Sequence, residues 1–313
     1  MHSGPPLQAE YSIIMKISFL ILIMLTQTML TNAQPEALNS MKKNILIFVN
    51  GYRGFGQNNY QIDHKVIIEE KVDSNKNYIR NNPYVIGYWR VGGKKYDLDI
   101  KNRFTNADLI YFDGHHKLSA SNHKNLLTLI GSFLKSKLFF FLKDGKFIFR
   151  WKINKNGYKK RFDGGIAASE NLELYLKKYN TQDVIIHVVS HSMGFAYSLG
   201  LVEALKDKYT FGKMLSISPE SAAFREVPCN VFTDVFQYGC DMDSKSNLVI
   251  YQDGIAPQQK IRLKEDCQNA RLIFVSPPSS WPNKNRGFNK SHHLNWFQWF
   301  YSFEENSKEF FKE

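Results

Sequence analysis

The stretch Val184-Ile-Ile-His-Val-Val-Ser-His191 runs through Ser192-Met193-Gly194, with no intervening loop, into Phe-Ala-Tyr-Ser-Leu-Gly-Leu-Val-Glu-Ala-Leu205. An apolar run of strand length followed at once by helix-forming sequence is a βα unit. A strand apolar on both faces belongs in the buried interior of a parallel sheet. So short a junction lifts Ser192 onto a strained strand-to-helix turn. Its hydroxyl is then exposed, and the Met193 N–H points to where negative charge on a reacting oxygen would develop. Strand and helix approach closely at such a turn, so the residues two places either side must be small; Gly194 and Ser190 stand there. Gly194, Ala196, Ser198 and Gly200 give the helix a small-residue surface for close packing.

Elsewhere apolar runs alternate with helical periodicity. Strands are expected at Asn44-Ile-Leu-Ile-Phe-Val49, ending at Asn50-Gly51; at Pro83-Tyr-Val-Ile-Gly-Tyr-Trp89; at Ala107-Asp-Leu-Ile-Tyr-Phe112, stopped by Asp113-Gly114; and at Lys213-Met-Leu-Ser-Ile-Ser218. Two more follow at Asn247-Leu-Val-Ile-Tyr251 and Ala270-Arg-Leu-Ile-Phe-Val275, with helices over residues 166–179 and 294–303. This alternation predicts an α/β fold: a doubly wound, mostly parallel sheet with helices on both faces. With 313 residues, 43% of them hydrophobic, the chain can bury a sizeable core. No linker-like stretch or internal repeat divides it, so residues 34–313 read as a single domain. Residues 126–151 break the scheme. They are rich in Leu and Phe but interrupted by Lys135, Lys137 and Lys143-Asp-Gly-Lys146, so they cannot span a bilayer. Two helices, or a helix and a hairpin near 141–151, fit the pattern. Residues 117–162 therefore form a candidate lid insertion, helical or hairpin, between the strand ending at Asp113 and the helix leading to Ser192. Its apolar face suits acyl chains or a membrane surface; a cap packed on the domain is the plainer alternative.

Residues 1–33 read as an N-terminal extension and a signal peptide. Met15-Lys16 is a basic start, residues 17–25 an apolar core and Thr31-Asn32-Ala33 a cleavage site. Thr26-Gln27-Thr28 interrupts the apolar run well short of the ~20 residues a spanning helix needs. The expectation is a secreted or periplasmic protein. Removing residues 1–33 takes away Lys16 and Glu10 and leaves the net charge at +12. Such a charge favours anionic surfaces, among them lipid headgroups, although a lysine-rich composition also supplies it with no partner implied. The basic residues are spread along the chain with no nucleic-acid motif, so no nucleic-acid partner is expected. Of the three cysteines, Cys229 and Cys240 are the most local possible pair and Cys267 is the third. No metal spacing is present, and the glycine-rich loop matches neither phosphate-binding pattern, so no cofactor or metal is expected.

A serine hydroxyl becomes a nucleophile only when a base takes its proton, a carboxylate orients the base and donors hold the oxyanion. The loop Asn50-Gly-Tyr-Arg-Gly-Phe-Gly56 is the expected source of the second oxyanion donor, at Tyr52, beside that of Met193. For the acid, Asp253 follows the strand at 247–251 and so lies on the sheet edge where Ser192 must be. Glu220, just beyond Ser218-Pro219, is its rival. Asp234, Asp241 and Asp243 are expected on a solvated loop. The base is expected in Ser291-His-His-Leu-Asn-Trp296. Either His292 or His293 would serve, and His293 is preferred because it immediately precedes the apolar start of the last helix. His191 points elsewhere on the turn, and His115 and His116 are candidates to line the pocket.

The order Ser192, Asp253, His293 is the one this architecture requires. With these residues in hand the chain resembles the α/β-hydrolase superfamily, and within it the lipases and esterases, over about residues 44–303. The resemblance is carried by Ser190 to Gly194, a G-x-S-x-G motif with Ser190 for the first glycine. It is carried also by Asn50-Gly-Tyr-Arg-Gly54, similar to the His-Gly oxyanion loop of bacterial lipases with Asn for His, and by His293-Leu-Asn295. It implies a secreted serine hydrolase that cleaves carboxylic esters, of lipid-like or acyl type, through an acyl-enzyme and without a cofactor. The alternatives are hydrolysis of thioester or amide bonds, or a non-catalytic surface or binding protein on the same fold.

Overall fold

The computed structural model describes residues 42–51, 64–69, 78–115, 139–143, 146–150, 155–220, 222–228, 230–239, 260–263 and 270–275. From Lys43 onward they belong to one compact unit. The strands are β1 (Lys43–Val49), β2 (Val66–Ile68), β3 (Tyr78–Arg80), β4 (Ala107–Phe112), β5 (Phe139–Lys143), β6 (Lys146–Arg150), β7 (Val184–His191), β8 (Thr210–Ile217), β9 (Asp234–Tyr238) and β10 (Arg271–Val275). The helices are α1 (Pro83–Tyr88), α2 (Tyr96–Lys101), α3 (Lys155–Leu176) and α4 (Gly194–Leu205). Eight strands form a mixed sheet in the order β10-β9-β8-β7-β1-β4-β2-β3. Every neighbouring pair is parallel except β2 with β4. The molecule is therefore an α/β structure built on a mostly parallel sheet.

The central strands are buried on both sides, and side-chain alternation divides them between two cores. On β1, Ile45, Ile47 and Val49 join Tyr158, Phe162 and Leu172 of α3 and Phe195, Leu199 and Val202 of α4. Leu46 and Phe48 join Val85 and Ile86 of α1, Trp89, and Tyr96 and Ile100 of α2. Helices α3 and α4 meet through glycines. A Cβ on Gly165 would stand 2.0 Å from the Tyr197 carbonyl oxygen, and one on Gly200 would stand 2.0 Å from that of Phe162. The small-residue surface expected on α4 is thus matched by glycine on α3.

Several buried polar groups in and beside the sheet are paired. The Lys213 N–H donates to His187 Nδ1 (3.0 Å), which leaves the proton on Nε2 for Asn44 Oδ1 at 2.9 Å. His187 is a satisfied core histidine. Under α1 and α2, the fully buried Asp97 accepts from Tyr111 Oη (2.7 Å) and Arg90 Nε (2.9 Å). At the edge of β4, Asp108 pairs with Lys43 Nζ at 2.6 Å and accepts from the Tyr179 hydroxyl. Burial pushes the Asp108 carboxyl up, but Lys43, Tyr179 and Lys178 together hold it below its ordinary value.

Several sequence expectations are corrected. Residues 83–88 are helical, not a strand, because Asn82 accepts from the Tyr84 and Val85 N–H groups and Pro83 stands in the first turn. These caps outweigh the strand propensity of Tyr84, Val85 and Ile86. Helix α3 begins at Lys155 rather than 166 and ends at Leu176. Residues 155–162 of the candidate insertion therefore belong to it, with Tyr158 and Phe162 in the core. Asp234 is no solvated loop residue; it opens β9, is buried, and pairs with Arg271 Nε at 2.6 Å. The strands β2, β3 and β9 were not expected. Within residues 117–162, β5 and β6 pair antiparallel from Phe139↔Arg150 to Lys143↔Lys146, in line with the hairpin alternative. Residues 1–33, 247–251 and 294–303, Asp241, Asp243, Cys229, Cys240 and Cys267 lie outside the described residues. No described helix is long and apolar enough to cross a membrane.

Two outcomes follow from this packing. Gly200→Ala forces a methyl onto the Phe162 carbonyl and is expected to destabilise the protein by on the order of 3 kcal/mol, read from urea unfolding. Asp108, whose folded pKa is depressed, contributes stability that is present above the ordinary aspartate value of 3.8 and is lost as pH falls through the folded value. Asp108→Asn is expected to lower stability by about 1 kcal/mol at neutral pH and to flatten the acid limb of the stability profile, measured by thermal melts from pH 7 to 3.

Candidate functional site

Strands β1 and β7 are neighbours, but the chain leaves them in opposite directions. After β1 it reaches β2, β3 and β4 on one side, and after β7 it passes through α4 to β8 on the other. The carboxyl ends of β1 and β7 thus flank a topological switch point, where a parallel sheet opens a crevice. Asn50-Gly51 follows β1 and Ser192 follows β7.

Ser192 has a φ of 55°, the left-handed region that side-chain-bearing residues rarely occupy. Its N–H donates to the Ile217 carbonyl (2.9 Å), and its carbonyl accepts from the Phe195 and Glu220 N–H groups (3.2 and 3.3 Å). Helix α4 starts at once because position 194 is glycine; a Cβ there would meet the Val49 and Asn50 carbonyl oxygens at 2.5 and 2.6 Å. Gly51 is equally constrained, since a Cβ on it would lie 2.7 Å from Ser192 Cβ. Ser190 is wholly buried and shares a 2.9 Å hydrogen bond with Ser216 on the adjoining β8.

The Ser192 hydroxyl donates to Glu220 Oε1 at 2.9 Å, and both side chains are buried, so the hydroxyl is not exposed as the sharp turn alone predicts. Glu220 reaches this position because the chain turns sharply after β8. Ser218 takes a φ of 45° and donates its N–H to the Tyr238 carbonyl at 2.6 Å. The Glu220 N–H returns to the Ser192 carbonyl, fixing the two residues to each other by backbone as well as side chain.

On the β1 side the buried Asn50 acts as a clamp. Its Nδ2 donates to the Gly51 carbonyl (2.9 Å) and to Asp113 Oδ1 (3.0 Å), and its Oδ1 accepts from the Gly114 N–H (3.3 Å). Asp113 Oδ1 also accepts from the N–H of the buried His115 at 3.1 Å. The ends of β1 and β4 are thereby joined beside the Ser192 turn. His64, where the chain re-enters the described fold after residues 52–63, bonds through Nδ1 with Tyr197 Oη of α4 at 3.1 Å. Burial, with a contribution from Asp113, raises the Tyr197 phenol well above its ordinary pKa.

His191, buried beside the serine, bonds through Nδ1 with the hydroxyl of Tyr88, the last residue of α1. Burial raises the Tyr88 phenol, a backbone hydrogen bond from Gly51 partly opposes this, and the charges of Glu220 and Asp113 add to the rise. Tyr88 is therefore a neutral phenol throughout the physiological range.

Of the residues singled out in the sequence, the structure brings together Ser192, Met193 and Glu220. Met193 is buried as the residue preceding α4. Tyr52, His116, Asp253, His292 and His293 lie outside the described residues. Tyr88 was missed. The Asn82-Pro83 pair was the signal that could have found it, since reading a helix there puts Tyr88 at the helix end rather than within a strand. Among the described residues no group of three or more His, Cys, Asp or Glu side chains is placed to hold a metal ion. No protein-family model matches the chain, and no curated protein matches it.

Proposed function

We propose that the protein is a serine hydrolase of the α/β-hydrolase type, acting on carboxylic esters. The observation that carries this reading is Ser192 itself. A serine held at a φ of 55° between a buried parallel strand and a helix, beside a switch point, is the backbone arrangement that presents a nucleophile. An ordinary strand-helix turn has no need of that backbone strain. The extended fold reading is a doubly wound sheet with the part of residues 117–162 that precedes α3 as a lid. The two helix-lined cores and the β5–β6 pair support it.

In the proposed reaction Ser192 Oγ attacks the ester carbonyl. A histidine of the 292–293 pair, His293 by preference, takes the hydroxyl proton and passes it to the leaving alcohol, and the Met193 and Tyr52 N–H groups hold the oxyanion. Water then releases the acyl group from Ser192. For the carboxylate, strand-end placement favours Asp253 and proximity to Ser192 favours Glu220; to serve as the acid Glu220 must release the Ser192 hydroxyl, which then donates to the histidine. No cofactor enters this scheme. The Leu- and Phe-rich residues 126–151 and the net charge of +12 support a lipid-like or acyl substrate and an anionic membrane surface as partner. The pattern of residues 15–33 supports secretion or residence in the periplasm.

A fluorophosphonate probe is expected to label the folded protein at Ser192. Absence of labelling would overturn the hydrolase reading in favour of a non-catalytic binding protein. Ser192→Ala is expected to lower p-nitrophenyl ester turnover by about four orders of magnitude or more, as removal of a triad nucleophile does. The choice of acid is tested by Glu220→Gln and Asp253→Asn, compared by kcat. The larger loss, on the order of 100-fold or more, is expected for Glu220→Gln; the reverse order would return the role to Asp253.

A further inference from the structure

We infer that Tyr88 is a positioning residue of the proposed active site, a hydroxyl that ties the root of the loop after β1 to the strand end carrying Ser192. The inference rests on the hydrolase reading and adds to it a residue from a third element, α1.

The geometry is local. The Tyr88 oxygen lies 3.0 Å from the point where a Gly51 Cβ would stand, and Ser192 Cβ lies 2.7 Å from the same point. Tyr88, Gly51 and Ser192 thus share one small volume with no room for a side chain between them. A phenol has one proton to donate and lone pairs to accept with. The Tyr88 hydroxyl bonds with His191 Nδ1 and stands against Gly51. Tyr88 therefore stands against Gly51, which leads into the loop proposed to supply the Tyr52 donor, and is bonded to His191, which precedes Ser192.

Asn50 secures the other side of the same residue, since its Nδ2 holds the Gly51 carbonyl at 2.9 Å. With the Tyr88 hydroxyl packed against it and its carbonyl held by Asn50, Gly51 is restrained from two sides. Fixed orientation is what an oxyanion donor requires, because donors that must reorganise during the reaction lose most of their effect. Tyr88 itself sits on a rigid support. Its ring packs edge-on against Trp89 at 5.6 Å between centroids, and Trp89 is fully buried against Phe48 of β1. Burial above all, with the charges of Glu220 and Asp113 adding to it, keeps the hydroxyl neutral.

The test is Tyr88→Phe, which removes one oxygen and leaves the ring packing in place. Tyr111→Phe serves as the control. It removes a buried hydroxyl bonded to Asp97 on the α1 and α2 side of the sheet, with no bond to the site. Expected for Tyr88→Phe is a fall of about 10-fold or more in kcat on a p-nitrophenyl ester, with KM within about 2-fold of wild type. An interaction that strengthens only as the oxyanion forms behaves in this way. The rate of fluorophosphonate labelling should fall by a similar factor. Tyr111→Phe should lower the melting temperature and leave kcat of the folded protein unchanged. If Tyr88→Phe is labelled and turns over as fast as a labelled wild type, or loses activity only in proportion to its folded fraction, the positioning role is overturned while the hydrolase reading stands. If the folded wild type is not labelled at all, the hydrolase reading fails and takes this inference with it.

Discussion

The backbone of Ser192 is the constraint on which the rest of the site depends. A left-handed φ on a residue with a Cβ costs on the order of 1–3 kcal/mol, so it persists only where the surroundings over-determine it. Here the Ser192 N–H is taken by Ile217, its carbonyl by Phe195 and Glu220, and glycine at 194 lets α4 begin against the end of β1. Any relaxation of φ at Ser192 would swing α4 away from Val49 and Asn50 and uncouple it from α3. The close approach of Gly165 and Gly200 is therefore part of the same device. Two helices that meet backbone to backbone leave α4 no lateral freedom, and the turn at its start inherits that rigidity.

The neighbouring strand ends are held by hydrogen bonds rather than by packing. Asn50 has both donors and its acceptor engaged, with Gly51, Asp113 and Gly114 as partners. No other small side chain offers the same set. Aspartate would lose both donor bonds and set a second carboxylate against Asp113, and leucine would strand three polar groups in a buried place. A fully satisfied polar cluster is costly to disturb, since any missing member leaves its partners unpaired away from water. The switch point is thus flanked on one side by a strained backbone and on the other by a saturated amide, and Gly51 lies between the two.

Much of this was legible in the sequence where a local rule and the tertiary environment agreed. The strands β1, β4, β7 and β10 are continuous apolar runs ended by turn residues, and the turn at Ser192 follows from a strand meeting a helix without a loop. The sequence misled where local signals conflicted. At residues 83–88, β-branched and aromatic residues argued for a strand, while Asn82 and Pro83 argued for a helix start. The caps prevailed because they satisfy backbone groups that nothing else reaches, and because Val85, Ile86 and Trp89 then fall on one helix face toward the sheet. Strand β9 escaped notice because Asp234 reads as solvated until its partner Arg271, on a strand far along the chain, is known. Tyr88 was invisible for a related reason: its role depends on contacts with Gly51 and His191, and nothing at residue 88 announces either.

Topology ranks the two candidate carboxylates better than strand-end placement does. Both Glu220 and Asp253 follow apolar runs, so each was expected on the same sheet edge as Ser192. Strand β7, however, has only two flanks, and β1 and β8 occupy them, with Ser190 opposite Ser216 and His191 opposite Ile217. A residue just beyond β8 starts about 5 Å from the serine strand, one inter-strand spacing away. A strand formed by residues 247–251 cannot pair with β7 and would have to bring its acid across at least one more spacing. The turn at Ser218 carries the chain back across the end of β8, so Glu220 covers the short distance and its N–H and carboxylate both engage Ser192. The adjacency of β7 and β8 therefore makes Glu220 the stronger candidate on geometric grounds alone.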